Sequence, residues 1–292
     1  MGKIQMNKIA ITVLFYAVSI AVGAAMFLPF LWSLLTSVKP SEEIFSLPIK
    51  WIPSTLTWEH YIAAFTTVPF GLFFWNSLVL AVAGVVANLF FGSLSGYAFA
   101  KLRFKLNKPL FMILLAAMMI PGVVTMIPSF YVLKNFPLVG GNDIFGSGGN
   151  GFINSFWGVI IPGASGSFAV FFMRQFFLTL PSDMLEMARI EGCREFRIFW
   201  RIYLPLTQPA LATLGIFTFQ AGWNSFLWPM IVLNDPAKAT IQMGLRAFSY
   251  NYQTDFGPMM AGALVAIAPI LVLFLFLQKY FVQGIAFSGV KG

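Results

Sequence analysis

The chain has 292 residues, of which 59% are hydrophobic and only 10% charged, a balance that excludes a water-soluble domain of this size. Its formal net charge of +8 raises nucleic-acid binding, but the basic residues are scattered between long apolar runs and form no patch, so nucleic acid is excluded as a partner. Cys193 is the single cysteine and His60 the single histidine, which removes an internal disulfide, cysteine-based or paired-histidine metal centres and most histidine catalysis.

Six apolar runs reach the roughly 20 residues that a bilayer-crossing helix needs. They cover about 9–35, 72–99, 110–133, 155–177, 206–233 and 257–278. Each is expected to be helical, because lipid offers no partner to open backbone groups. The reading is an all-α, polytopic membrane protein with six transmembrane helices in one domain, 1–292.

The first run has the charged end of a signal peptide in Lys3 and Lys8. Its apolar stretch continues through Phe30, Leu31, Trp32 and Leu34, so a retained helix is expected. Residues 36–71 follow as a polar loop. Along the second run Gly84, Asn88, Gly92, Gly96 and Ala100 recur every four residues. Small residues at that spacing pack helices closely, and Asn88 is the polar exception that could face a pore. The fourth run carries Pro162, Gly163, Ala164, Ser165, Gly166 and Ser167, a break with hydroxyls at membrane depth. Such breaks occur where they line a cavity or are buried in protein, and both readings stay open for Ser165 and Ser167.

Between the fourth and fifth runs lies a polar segment, 178–205. Pro181, Ser182 and Asp183 signal a helix start and Gly192 a stop. Met184, Met187 and Ala188 are expected on one face, and Phe196, Phe199, Trp200 and Tyr203 form a second apolar stripe. Arg194, Arg197 and Arg201 line another face, as on a helix lying in the membrane interface. In the fifth run Gln220, Trp223 and Asn224 fall within one helical turn. A second polar loop, 234–256, contains Tyr250, Asn251, Tyr252 and Gln253, residue types that suit a protein interface.

Orientation follows from the positive charges. With both termini inside, the cytoplasmic side holds Lys3, Lys8, Lys101, Arg103, Lys105, Lys108, Arg174, Arg189, Arg194, Arg197, Arg201, Lys279 and Lys291, or 13 of the 18 basic residues. Loops 36–71 and 234–256 are then outside, and 178–205 is cytoplasmic. No ionisable residue lies near the middle of any run, which argues against a proton- or sodium-coupled carrier. A phosphate-binding G-x-x-x-x-G-K-[ST] loop is absent. Energy for active transport would have to come from a partner.

Glu186-Met187-Ala188-Arg189-Ile190-Glu191-Gly192, nine residues, then Ile202-Tyr203-Leu204-Pro205 resembles the EAA motif of ABC importer permeases. Trp223-Asn224-Ser225-Phe226-Leu227-Trp228-Pro229 and the tail Gly289-Val290-Lys291-Gly292 extend the resemblance to the maltose-type, carbohydrate-uptake branch. Met187 departs from it, standing where the family has a small alanine. The resemblance implies a type I ABC importer permease in the bacterial cytoplasmic (inner) membrane, and no enzyme. It implies a second permease subunit forming a heterodimer and two ABC ATPase subunits that bind ATP and magnesium. An extracellular or periplasmic solute-binding protein would deliver the substrate, and this chain itself would carry no cofactor.

By the same resemblance Glu186, Met187, Ala188, Gly192, Ile202, Leu204 and Pro205 belong to a coupling helix and its footing on the ATPase. Gln220, Trp223 and Asn224 offer the amides and flat aromatic face that a sugar needs, with Asn88, Ser165 and Ser167 as further substrate-path candidates. Trp223 equally suits an interface anchor. Tyr250, Asn251, Tyr252 and Gln253 would probe the binding protein. A permease for a glycerol phosphodiester or an anionic oligosaccharide is the alternative, with a self-powered channel or carrier behind it.

Overall fold

A computed structural model describes residues 2–249 and 254–289, with side chains over 11–249 and 254–278. Tyr250, Asn251, Tyr252 and Gln253, and Val290 to Gly292 of the tail, lie outside the described residues. In chain order the helices are α1 (Gly2–Ser37), α2 (Ser41–Ile44), α3 (Glu59–Thr67), α4 (Phe70–Lys101), α5 (Asn107–Met118), α6 (Gly122–Lys134) and α7 (Phe156–Ile160). They continue as α8 (Ser167–Thr179), α9 (Asp183–Ile190), α10 (Glu195–Ile198), α11 (Leu204–Leu206), α12 (Gln208–Trp223), α13 (Leu227–Val232), α14 (Ile241–Arg246) and α15 (Phe256–Gly289).

Among the described residues three helices are long and apolar enough to cross a bilayer unaided: Ile11–Ser37 of α1, all of α4 and Phe256–Gln278 of α15. Three more spans arise if each of three bent pairs counts as one: α5 with α6 (109°), α7 with α8 (40°), and Glu195–Leu206 with α12 (82°). Single helical runs were expected at 110–133 and 206–233; the structure breaks the first at Ile120–Pro121 and the second between Trp223 and Leu227. Proline accounts for the first break and for the bend at the head of α12. Pro121 cannot donate to the preceding turn, so Met119 and Ile120 close onto Ala116 and Ala117 instead. At the head of α12, Pro205 and Pro209 flank the turn at Thr207.

By compactness the chain divides into residues 1–70 with 245–268, and 71–244 with 269–292. In the first unit the expected polar loop 36–71 is partly helical and tightly tied. Glu43 accepts hydrogen bonds from Lys50 Nζ (2.9 Å), Ser54 Oγ (2.6 Å) and Ser54 N (3.0 Å). Those donors, Lys50 first, hold its carboxyl down from 4.5 to about 2. The clamp therefore stays ionised above the ordinary carboxylate range and is lost only as the pH falls through the folded value. His60, buried to 4% exposure, sets its Nε2 against the Lys39 carbonyl at 2.8 Å, with Gly257 pressed on the ring. It is a structural histidine.

The core of the second unit is a cluster in which Tyr97 of α4, Met173 and Phe177 of α8, Leu185 and Ala188 of α9, Phe199 and Tyr203 are all buried. Gly92 and Gly96 let α4 approach α8 closely. A Cβ at Gly92 would lie 2.7 Å from the Ala169 Cβ, and one at Gly96 2.8 Å from the Met173 Cβ. Further along the same face Gly84 meets nothing within 4 Å. The four-residue repeat thus serves packing at one end of α4 and opens a cavity at the other.

Candidate functional site

Residues 181–206 stand on that aromatic floor. Leu185 and Ala188 of α9 turn inward, while Glu186, Met187 and Ile190 face out, the last two 59% and 87% exposed. The expected Met184–Met187–Ala188 face is thus replaced by Leu185 and Ala188. Successive residues lie about 100° apart around a helix, so seating Ala188 on the rings swings Met187 outward. The helix closes at Gly192 with φ +78°. There the Gly192 and Cys193 amides donate to the Arg189 and Ala188 carbonyls, each at 3.0 Å. This is a Schellman ending, which places glycine where a Cβ is disfavoured.

The second stripe also divides. Phe199 and Tyr203 are buried, whereas Phe196 and Trp200 stack on each other outside, at 6.4 Å between centroids and 14° between planes. Phe199–Tyr203 wind as a π-helix, whose wider turn shifts the register. Ile202 and Leu204 pack at the edge of the core, and Pro205 lies exposed beyond it. Lys101 donates to the Leu180 carbonyl (2.7 Å) and Ser182 Oγ (3.3 Å), and Tyr203 Oη donates to the Pro181 carbonyl (2.9 Å). Arg189 donates to Glu195 at 2.6 Å, a bond that raises the pKa of its guanidinium. The segment is a foot tied to α4 and α8, from whose helix α9 Glu186, Met187 and Ile190 project.

The cavity measures about 560 Å³ and is walled by α4, the break between α7 and α8, α12, α13 and the start of α14. Its volume lies within the ~300–1,000 Å³ of small-molecule sites. Asn88 Nδ2 donates to the Gly163 carbonyl at 2.7 Å, and Thr218 Oγ1 donates to Asn88 Oδ1 at 3.3 Å. Asn88 thereby satisfies backbone freed at the Pro162–Gly163 break. Thr240 borders the cavity, and its Oγ1 is buried without a hydrogen-bond partner among the described residues. Among the described residues no Lys, Arg, Asp or Glu borders the space.

Sequence expectation and structure agree unevenly here. Asn88 is on the cavity wall. Ser165 and Ser167 are not; Gly163, Gly166 and Phe168 take that place. Gln220 and Asn224 share an exposed face of α12, where Gln242 Nε2 donates to Asn224 Oδ1 at 3.3 Å. Trp223 points the other way. At 1% exposure its ring lies parallel to Phe219 (5.6 Å, 13°) and meets Phe74 edge-on (5.2 Å). The open aromatic face expected there is enclosed in packing.

Ser77, Thr218 and Trp228 were missed by the sequence reading. For Ser77 and Thr218 the signal was a small or polar stripe at helical spacing, Ser77-Ala81-Gly84-Asn88 on α4 and Thr218-Ala221-Gly222 on α12; Trp228 on α13 had no such signal.

Comparison with known proteins identifies the family. Residues 88–287 match the family described as "Binding-protein-dependent transport system inner membrane component". The chain is 37% identical over 269 residues to the arabinooligosaccharides transport system permease protein AraQ of Halalkalibacterium halodurans, covering 90% of this chain and 91% of that one. It is 30% identical to the sn-glycerol-3-phosphate transport system permease protein UgpE of Yersinia enterocolitica, covering 94% and 96%. Its fold matches a chain from the crystal structure of a bacterial ABC transporter involved in the import of the acidic polysaccharide alginate. That match has a TM-score of 0.79 at 22% identity over 93% of this chain and 96% of that one. The apolar helices are thus those of a multi-pass membrane permease, and the chain belongs to the family of binding-protein-dependent transport system inner membrane components, the permeases of ABC importers.

Proposed function

We propose that the chain, acting over 1–292 as a single permease domain, forms half of the translocation path of an ATP-driven importer for a neutral oligosaccharide. The observation that carries the substrate class is the cavity. It offers Asn88, Thr218, Ser77 and Thr240 for hydroxyl groups and one indole, Trp228, but no cation. A phosphate or uronate entering this half would lose water without gaining a counter-charge. The relatives are named for arabinooligosaccharides and for sn-glycerol-3-phosphate, and the uncharged wall favours the first kind of solute. Gln220 and Asn224 add amides on their exposed face, and Ser165 and Ser167 flank the break.

Energy enters at the foot. Glu186, Met187 and Ile190 project from α9 as a coupling helix for one of two partner ATPase subunits, which bind ATP and magnesium. Ala188, Ile202, Leu204 and Pro205 form its footing, and Gly192 sets the turn. A second permease subunit completes the path, and a solute-binding protein meets the outer loops, with Tyr250, Asn251, Tyr252 and Gln253 as candidate contacts. Both termini are cytoplasmic.

The test is a thermal-shift panel on the cognate solute-binding protein. Stabilisation by neutral oligosaccharides, with none from sn-glycerol-3-phosphate or uronate oligomers, is the expected result. Stabilisation by the anions alone overturns the substrate assignment.

A further inference from the structure

The carboxylate of Glu195 joins two parts of the molecule that transport requires to move together. One oxygen accepts Arg189 Nε at 2.6 Å and the other accepts Tyr97 Oη at 3.2 Å. Arg189 lies in the last turn of α9, before the glycine turn, and Glu195 opens α10 after it. The pair therefore closes the turn at Gly192 from both sides. Tyr97 belongs to α4, is 2% exposed, and sits among Phe177, Phe199 and Tyr203 with ring centroids 5.3–5.7 Å away. On the same helix, about 13 Å along the axis, Asn88 holds the Gly163 carbonyl at the cavity wall.

An ion pair whose side chains are 44% and 41% exposed would ordinarily contribute little. The shared tyrosine changes its meaning, because the carboxylate also accepts a hydrogen bond from a hydroxyl whose ring is fixed in the core. We infer that Glu195 is a positioning residue, tying the coupling helix to the cavity-lining span so that displacement of α9 is delivered to α4 rather than absorbed at the glycine turn. The inference rests on the coupling role proposed above. A rigid tie between packed elements is what rigid-body switching requires.

The experiment uses the assembled transporter in vesicles and a thiol reagent, and needs no knowledge of the transported solute. In a Cys193→Ser background a reporter, Ser225→Cys, is placed on the cavity wall. Its maleimide labelling rate is measured with and without magnesium-ATP and vanadate. The background is expected to change rate several-fold with nucleotide. Glu195→Gln and Tyr97→Phe are each expected to bring that ratio toward one, while complex recovery and ATP hydrolysis persist.

Tyr97→Phe removes a single oxygen and keeps the aromatic packing, so an unchanged ratio in that variant overturns the inference. Loss of complex recovery in both variants also overturns it, since the tie would then serve assembly. A nucleotide-independent rate in the background itself overturns the importer reading, and this inference with it.

Discussion

Gly192 shows how one residue can hold a functional geometry. Its φ of +78° is open to glycine, and a Cβ there would meet nothing within 4 Å. The constraint is thus backbone conformation and not space. Gly192→Val forces a β-branched residue into that region, a strain of about 1–3 kcal/mol, which the short α9 relieves by unwinding. Complex recovery in detergent is expected to stay near wild type while ATP-driven uptake falls at least tenfold. Normal uptake by this variant would remove α9 from the coupling role. Trp223 makes the opposite case. Enclosed by Phe74 and Phe219, its replacement by alanine should destabilise the fold by about 3–5 kcal/mol, seen as a lowered melting midpoint. Gln220→Ala and Asn224→Ala, both exposed, should leave the midpoint nearly unchanged and alter uptake alone. An unshifted midpoint for Trp223→Ala contradicts the packing assignment.

At the scale of elements, α4 separates close packing from a cavity wall along one face. Gly96→Val would bring a Cβ within 2.8 Å of the Met173 Cβ and 2.9 Å of the Arg174 amide nitrogen. Such overpacking destabilises by about 1–3 kcal/mol, so a lowered melting midpoint is expected. Gly84→Ala meets open space and should melt like wild type. Equal midpoints for the two would mean that α4 and α8 are not in close contact. The four-residue repeat was legible in the sequence; which glycines pack and which open a cavity was not, because that depends on where α8 bends away. The helical class, the span regions and the EAA spacing were legible because bulk hydropathy and local spacing carry them. The direction of Trp223 was not, since periodicity gives a face without saying what covers it. The Tyr97–Glu195 bond joins residues 98 apart in sequence, and no local pattern announces such a pair.

For the whole molecule the open question is parity: does the α5–α6 pair cross the membrane or turn back? Its legs have 12 and 13 residues and meet at 109°. Together they reach roughly 22 Å end to end at 1.5 Å per residue, short of a hydrocarbon core of about 30 Å. Local thinning or burial against protein can make up such a shortfall. Charge decides the matter. If the pair turned back, every later segment would change sides, and Arg189, Arg194, Arg197 and Arg201 would lie outside, opposite Lys101, Arg103, Lys105 and Lys108. That arrangement breaks the positive-inside rule and strands the coupling segment away from any source of ATP. Crossing is therefore expected. Thr240, in the loop 234–256, is 3% exposed and so a poor labelling position; Phe145, at 83% exposure between α6 and α7, is a good one. With Cys193 replaced, Lys105→Cys should react with an impermeant maleimide only from the cytoplasmic face of oriented vesicles, and Phe145→Cys only from the outer face. Labelling of both from one face would make α5–α6 a re-entrant hairpin, reduce the crossings to five and place the two termini on opposite sides.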